Sequence, residues 1–296
     1  MADSQQTEVT GSGQSQVLTV GLLQTAPVYG AVESNIARIA TMREEAGDVD
    51  LVLTPELALN GYGFDSGAGL RALAYDDARL DSLITGDAVV GLGFAQANNG
   101  HHPRNAYLLA DPQTGQQDIQ HKLHPVSYAP WNEHHTFDAG DALQTRLVRG
   151  ARCATVICND MWHPVVPWLA AQAGAEVLIV PVASIEGADP DGIQHTWQVI
   201  LEHTALMLQC YVVFINRCGT DSGARFWGGS KVLGPDGTVI ASAGESEAVM
   251  TAALDLAALR QLRADVPILA ESRTQFVLDT LTDRGLVPAR TGIGNV

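Results

Sequence analysis

Four short runs in the sequence are apolar almost throughout: VDLVLTPEL (49–57), DAVVGLGFA (87–95), EVLIVPVAS (176–184) and YVVFINRC (211–218). A strand with one wet face alternates polar and apolar residues. A continuous apolar run of this length belongs to a strand covered on both faces, as in a parallel sheet flanked by helices. Helical segments alternate with several of the strand-like runs. VESNIARIATMREEA (32–46) puts Ile36, Ile39, Ala40 and Met42 on one face, and a longer helix is predicted over 193–209. This β–α–β spacing restricts the chain to an α/β fold.

The order occurs twice. The first half reads as a strand from Val17 (VLTVGLL), a helix, the run 49–57, the run 87–95, and a hairpin in RNAYLLADPQTGQQDIQHK (104–122) turning at DPQTG. The second half reads as the strand RCATVIC (152–158), a short helix WLAAQAGA (168–175), the run 176–184, the long helix, the run 211–218, and a hairpin in GGSKVLGPDGTVIASAG (228–244) turning at GPDG. Each hairpin extends a mixed sheet, and helices cover one face of it. The other face is apolar too and must meet a second sheet, which predicts a four-layer α–β–β–α sandwich in one domain. Residues 1–16 are polar, glycine- and serine-rich, and are expected to be a disordered tail. The domain is expected over 17–275. The stretch 260–296 mixes Arg, Pro and apolar residues without a clean helix face, and 276–296 is read as a C-terminal tail.

The 17 basic residues stand against 33 acidic ones, a net charge of −16, which excludes nucleic acid and anionic membranes as partners. No apolar stretch is long enough to span a bilayer. No basic segment followed by an apolar core opens the chain, so a cytoplasmic location is expected. The four cysteines, Cys153, Cys158, Cys210 and Cys218, form no CxxC pair and read as reduced thiols. Cys153 and Cys158 lie an odd number of residues apart on a strand and face opposite ways, so they do not share a metal.

Three strand-like runs each close on a reactive group: LVLTPE on Glu56, QDIQHK on Lys122 and ATVIC on Cys158. Ligands of α/β sheets collect at the carboxyl ends of strands. A thiol there is a nucleophile once deprotonated, a carboxylate can take its proton, and an ammonium can stabilise an oxyanion. The backbone N–H of Asn159 offers a second oxyanion donor. Two rival constellations use histidine. His163 could pair with Cys158 in a papain-like way that needs neither Glu56 nor Lys122. His121, His124, His134 and His135 could bind a metal, but their spacings in extended chain point the rings apart, so no metal or other cofactor is expected.

The segments TPELALNGYGF, HKLHP and VICNDMWHP, with WNEHHTFDAGD and GGSKVLGPDGTVIASAG, resemble the nitrilase superfamily of carbon–nitrogen hydrolases from about residue 17 to 275. The resemblance implies the four-layer sandwich, homodimers or larger oligomers, and a tail that crosses to the partner subunit. It implies Glu56 as general base, Lys122 as oxyanion stabiliser, Cys158 as nucleophile and Glu133 as a second acid that positions substrate and holds the lysine. Tyr62, Trp131 and Asn159 would line the pocket. Nitrilases proper carry Trp-Glu after the cysteine; CND looks more like branches that cleave a small amide or carbamoyl compound with water. In N-carbamoyl-D-amino acid hydrolases two arginines that hold a carboxylate follow CND. Here Met161 and Trp162 stand there and imply a less charged substrate, while Arg217 and Arg225 could reach a carboxylate only from other loops. Nitrile hydrolysis and acyl transfer from the same thioester stay open. An inactive binding or assembly protein is disfavoured, because all three catalytic positions are filled.

Overall fold

In the computed structural model, which describes residues 17–63, 67 and 69–286, the apolar runs become the inner strands of two six-stranded sheets. The first half comprises β1 (Val17–Gln24), α1 (Val32–Glu45), β2 (Leu51–Leu53), the short α2 (Ala78–Asp81), β3 (Val89–Gln96), β4 (Arg104–Ala110) and β5 (Gln117–His121). The second contains β6 (Thr145–Val148), β7 (Ala151–Thr155), α3 (Val165–Gln172), β8 (Val177–Val182), α4 (Pro190–Leu208) and β9 (Tyr211–Asn216). There follow β10 (Cys218–Asp221), β11 (Ala224–Trp227), β12 (Lys231–Leu233), β13 (Val239–Ser242), β14 (Ala248–Asp255), α5 (Leu256–Asp265) and α6 (Thr274–Asp283).

The sheet orders are β14-β1-β2-β3-β4-β5 and β13-β12-β9-β8-β7-β6. Each sheet has a parallel trio, β1-β2-β3 or β7-β8-β9, joined to an antiparallel hairpin, β4–β5 or β12–β13. Each trio is closed on its other side by one antiparallel strand, β14 against β1 and β6 against β7. The twofold repetition in the sequence is therefore a repetition of sheet topology. The two edge strands were not anticipated, nor was the small β10–β11 ribbon. They are short, or carry alanine and threonine where a core strand carries Val, Ile or Leu.

Both faces of the central strands are dry, which accounts for the continuous runs. On β8, Val177 and Ile179 meet Val20, Leu22 and Leu53 of the other sheet. The alternate residues Leu178 and Val180 meet Trp197, Leu201 and Ala205 of α4. On the opposite side, Ile36, Ile39 and Met42 of α1 cover Val52, Val90 and Leu92. Burying each such side chain contributes roughly 1.5–3 kcal/mol. The layers are helix, sheet, sheet, helix, as expected.

Several boundaries differ from the sequence reading. β2 ends at Leu53 and β7 at Thr155, so Glu56 and Cys158 sit in turns beyond the strands. α4 starts at Pro190, with the Asp189 side chain capping Gly192 N at 3.1 Å. The stretch from 260, expected to lack a helix face, holds the end of α5 and the whole of α6, which runs across residue 275. α6 has no fully buried residue in this chain, although Val277, Thr280 and Leu281 are half-buried. The expected tail at 1–16 and residues 287–296 lie outside the described residues. Among the described residues no helix is long and apolar enough to cross a membrane.

Candidate active site

The turn after β2 carries Glu56, and Gly93 lets it form. A Cβ on Gly93 would stand 2.1 Å from the Pro55 carbonyl oxygen and 2.8 Å from Leu57 N, so only glycine allows the turn to lie on β3. Thr54 Oγ1 donates to Gly91 O at 2.9 Å and accepts from Gly93 N at 3.1 Å. The Glu56 side chain is buried. Its Oε1 accepts from Lys122 Nζ and from Asn105 Nδ2, each at 2.7 Å. Asn105 also accepts the Lys122 backbone N–H at 2.8 Å, so one residue of β4 steers both partners.

Lys122 follows β5 and is buried as well. Its ammonium bridges to Glu133, 2.7 Å from Oε2 and 2.9 Å from Oε1. Glu133 opens a short 3₁₀ turn, is buried, and accepts from Val126 N at 2.9 Å and from the Tyr62 hydroxyl. Burial pushes the Lys122 ammonium down, but Glu133, Glu56 and the sulfur outweigh it and hold the group well above its ordinary value.

Cys158 opens the 3₁₀ turn Cys158–Trp162 with φ at 45°. A left-handed cysteine costs on the order of 1–3 kcal/mol, tolerated where the surroundings over-determine it. Of the four cysteines, it alone is not fully buried. Its thiol lies against the Glu56 carboxylate, and the Ala183 backbone faces the sulfur. Glu56 Oε2 finds no hydrogen-bond partner among the described residues. Burial and then the Glu56 charge push the thiol well up, against the pull of Lys122. Burial also raises Glu56, with Lys122 opposing. Both shifts disfavour a thiolate beside a charged carboxylate.

A clasp joins the cysteine and lysine loops. The buried Asp160 carboxylate accepts from Leu123 N at 3.0 Å, His124 N at 2.7 Å and His124 Nδ1 at 3.0 Å. Asn159 Nδ2 donates to His124 O at 2.9 Å.

A cavity of about 80 Å³ opens beside Cys158. Tyr62, Trp131, Asn159 and Trp162, all expected there, line it together with Glu133. Met161 does not: it is buried in the core between the second sheet and its helices. Tyr128, Ser184, Ile193 and Trp197 also line it and were not anticipated, nor were the places of Asn105 and Asp160 in the networks around it. Asp160 was visible within the CND motif, and Asn105 as a polar residue in an apolar run; neither spacing reveals its partner. His163 stacks on His124, ring centroids 3.8 Å apart. His121 engages Gln96 Oε1 at 2.7 Å, and the His134 and His135 rings lie against each other. Among the described residues no group of three or more His, Cys, Asp or Glu could hold a metal ion. Arg217 is buried, paired with Asp221 at 3.2 Å and stacked over Phe226. Arg225 pairs with Glu186 and Glu245.

Residues 19–264 match the family described as Carbon-nitrogen hydrolase. An (R)-stereoselective amidase from a Pseudomonas species is 33% identical over 267 residues, covering 86% of this chain and 92% of that one. A carbon-nitrogen hydrolase structure from Helicobacter pylori superposes with a TM-score of 0.79 at 22% identity, covering 91% of this chain and 99% of that one. A mutant of an amidase from Nesterenkonia sp., showing covalent addition of the acetamide moiety of fluoroacetamide at its active site cysteine, superposes with a TM-score of 0.75 at 20% identity, covering 88% and 96%. These two structures share the fold.

Proposed function

Because the chain belongs to the carbon-nitrogen hydrolase family, we propose that it is an amidase that cleaves the C–N bond of a small amide or carbamoyl compound through an acyl-enzyme on Cys158. The observation that carries this reading is the buried Lys122 ammonium held between Glu56 and Glu133, with the Cys158 thiol against Glu56.

In the first half-reaction Glu56 takes the thiol proton as sulfur attacks the substrate carbonyl carbon. The developing oxyanion is stabilised by the Lys122 ammonium and the Asn159 backbone N–H. As the C–N bond breaks, Glu56 gives its proton to the departing amine or ammonia. Water then enters, Glu56 takes its proton, and hydroxide attacks the thioester. The C–S bond breaks, sulfur recovers the proton, and a carboxylic acid (a carbamic acid from a carbamoyl substrate) leaves. The high proton affinity of the thiol makes a base in contact with it a requirement. Glu133 keeps the lysine charged and in place. We further infer that the working form is a homodimer or larger homo-oligomer.

The test is intact-mass spectrometry of the protein, acid-quenched during turnover of amides, carbamoyl compounds and nitriles so that the acyl-enzyme is caught before water cleaves it. The expected result is a mass gain equal to the acyl group, mapped to Cys158 and absent in Cys158→Ala. Turnover that survives Cys158→Ala would overturn the reading.

A further inference from the structure

We propose, resting on the amide-hydrolase reading, that the site selects amides whose acyl part carries no carboxylate and discriminates against their carboxylate-bearing analogues. The cavity beside Cys158, about 80 Å³, is walled by Tyr62, Tyr128, Trp131, Trp162, Trp197 and Ile193. Pockets for drug-sized ligands run to roughly 300–1,000 Å³, so only a small acyl group fits. No Lys, Arg or His side chain is among its walls within the described residues.

The charges behind the walls are already committed. Lys122 is shared by Glu56 and Glu133, one cation for two carboxylates. Farther out lies a second cavity of about 460 Å³. The chain passes from one to the other at Ser184–Ile185 and at Trp131–Pro130. Its cation is Arg225, held 2.9 Å from Glu186 and 2.5 Å from Glu245, again one against two. Arg217, the other cation of that region, is buried against Asp221 and the Phe226 ring. Among the described residues a substrate carboxylate therefore finds no uncommitted cation at either depth, and the carboxylates there outnumber the cations. Desolvating it without a partner is unfavourable, and the like charges add to that cost. The aromatic walls accept a neutral group and attract a cationic one.

The experiment compares kcat/KM for ammonia release by the full chain on matched pairs: propionamide with malonamate and butyramide with succinamate, plus β-alaninamide as a cationic member. The neutral member of each pair should exceed the carboxylate by at least about a hundredfold, the size expected for an unpaired buried charge. β-Alaninamide should side with the neutral amides. Tyr128→Arg, at an exposed wall position, should raise succinamate relative to butyramide by about tenfold, the measure of one new charge pair. Succinamate turned over as well as butyramide by the unaltered protein would overturn the selectivity and leave the amidase reading standing. If no member of the panel releases ammonia or acylates Cys158, the amidase reading falls and takes the selectivity with it.

Discussion

Glu56 has two oxygens with different surroundings. Oε1 is held by Lys122 and Asn105, and Oε2 is left for the proton in transit. The Asn105 amide donates to the charged form, so it lowers a carboxyl that burial raises. Removing the amide, as in Asn105→Ala, should raise Glu56 further. The acid limb of kcat/KM, expected above the ordinary glutamate value of roughly 4.3 because burial raises Glu56, should then move to higher pH. A pH–rate profile checks this; a limb that stays in place while the rate falls would mean that Asn105 serves packing alone. A second expectation concerns the oxyanion. Lys122→Ala should lower kcat by roughly 10²–10³, the usual loss of one oxyanion donor, or by more because Glu56 and Glu133 lose their counter-ion. Full activity in that variant would exclude the role given to Lys122. Glu56 and Cys158 stood out in the sequence because each follows an apolar run, and Lys122 because it closes a strand-like run. Asn105 was not, since its partner lies forty-nine residues away and only β-sheet register brings the two together.

At the scale of elements, the proposed catalytic groups owe their positions to turns. The strand expected through 57 stops at Leu53, and the one expected through 158 stops at Thr155, because each turn must leave the sheet to reach the cavity. Apolar patterning marks burial, and both turns are buried, so the pattern ran past the true strand ends. The clasp at Asp160 joins two such turns. Asp160→Ala would leave the Leu123 and His124 N–H groups without their acceptor, a loss of about 1–3 kcal/mol. It should lower both the melting temperature and kcat, whereas Asp160→Asn, which keeps one acceptor, should recover part of each. Thermal denaturation beside steady-state kinetics tests this. A variant that loses stability with kcat unchanged would show that the clasp does not align the nucleophile with the lysine.

The two-half repetition and the layer order were readable from the whole sequence, because they follow from dry strands alternating with amphipathic helices. What escaped was the pairing of β14 with β1, more than two hundred residues apart, and the character of the outer helical face. On that face Val165 and Leu169 of α3, Val199 and Met207 of α4, Ile268, and Phe276 of α6 are all exposed, around a groove of about 710 Å³. A ten-residue helix such as α6, with no fully buried residue in its own chain, is too short to be stable by itself in water. Exposed apolar patches of this kind mark contact surfaces. A second copy is the occupant that fits a homo-oligomer, since the same face on two chains is self-complementary about a twofold axis. The net charge of −16 works against such a contact at long range, while apolar burial favours it at short range. Added salt screens the first and leaves the second, so association should tighten as ionic strength rises. Light scattering across a salt series measures it directly. Leu169→Asp together with Val199→Glu should shift the protein to monomer. A monomer at every salt concentration before any substitution would remove the second copy from this face.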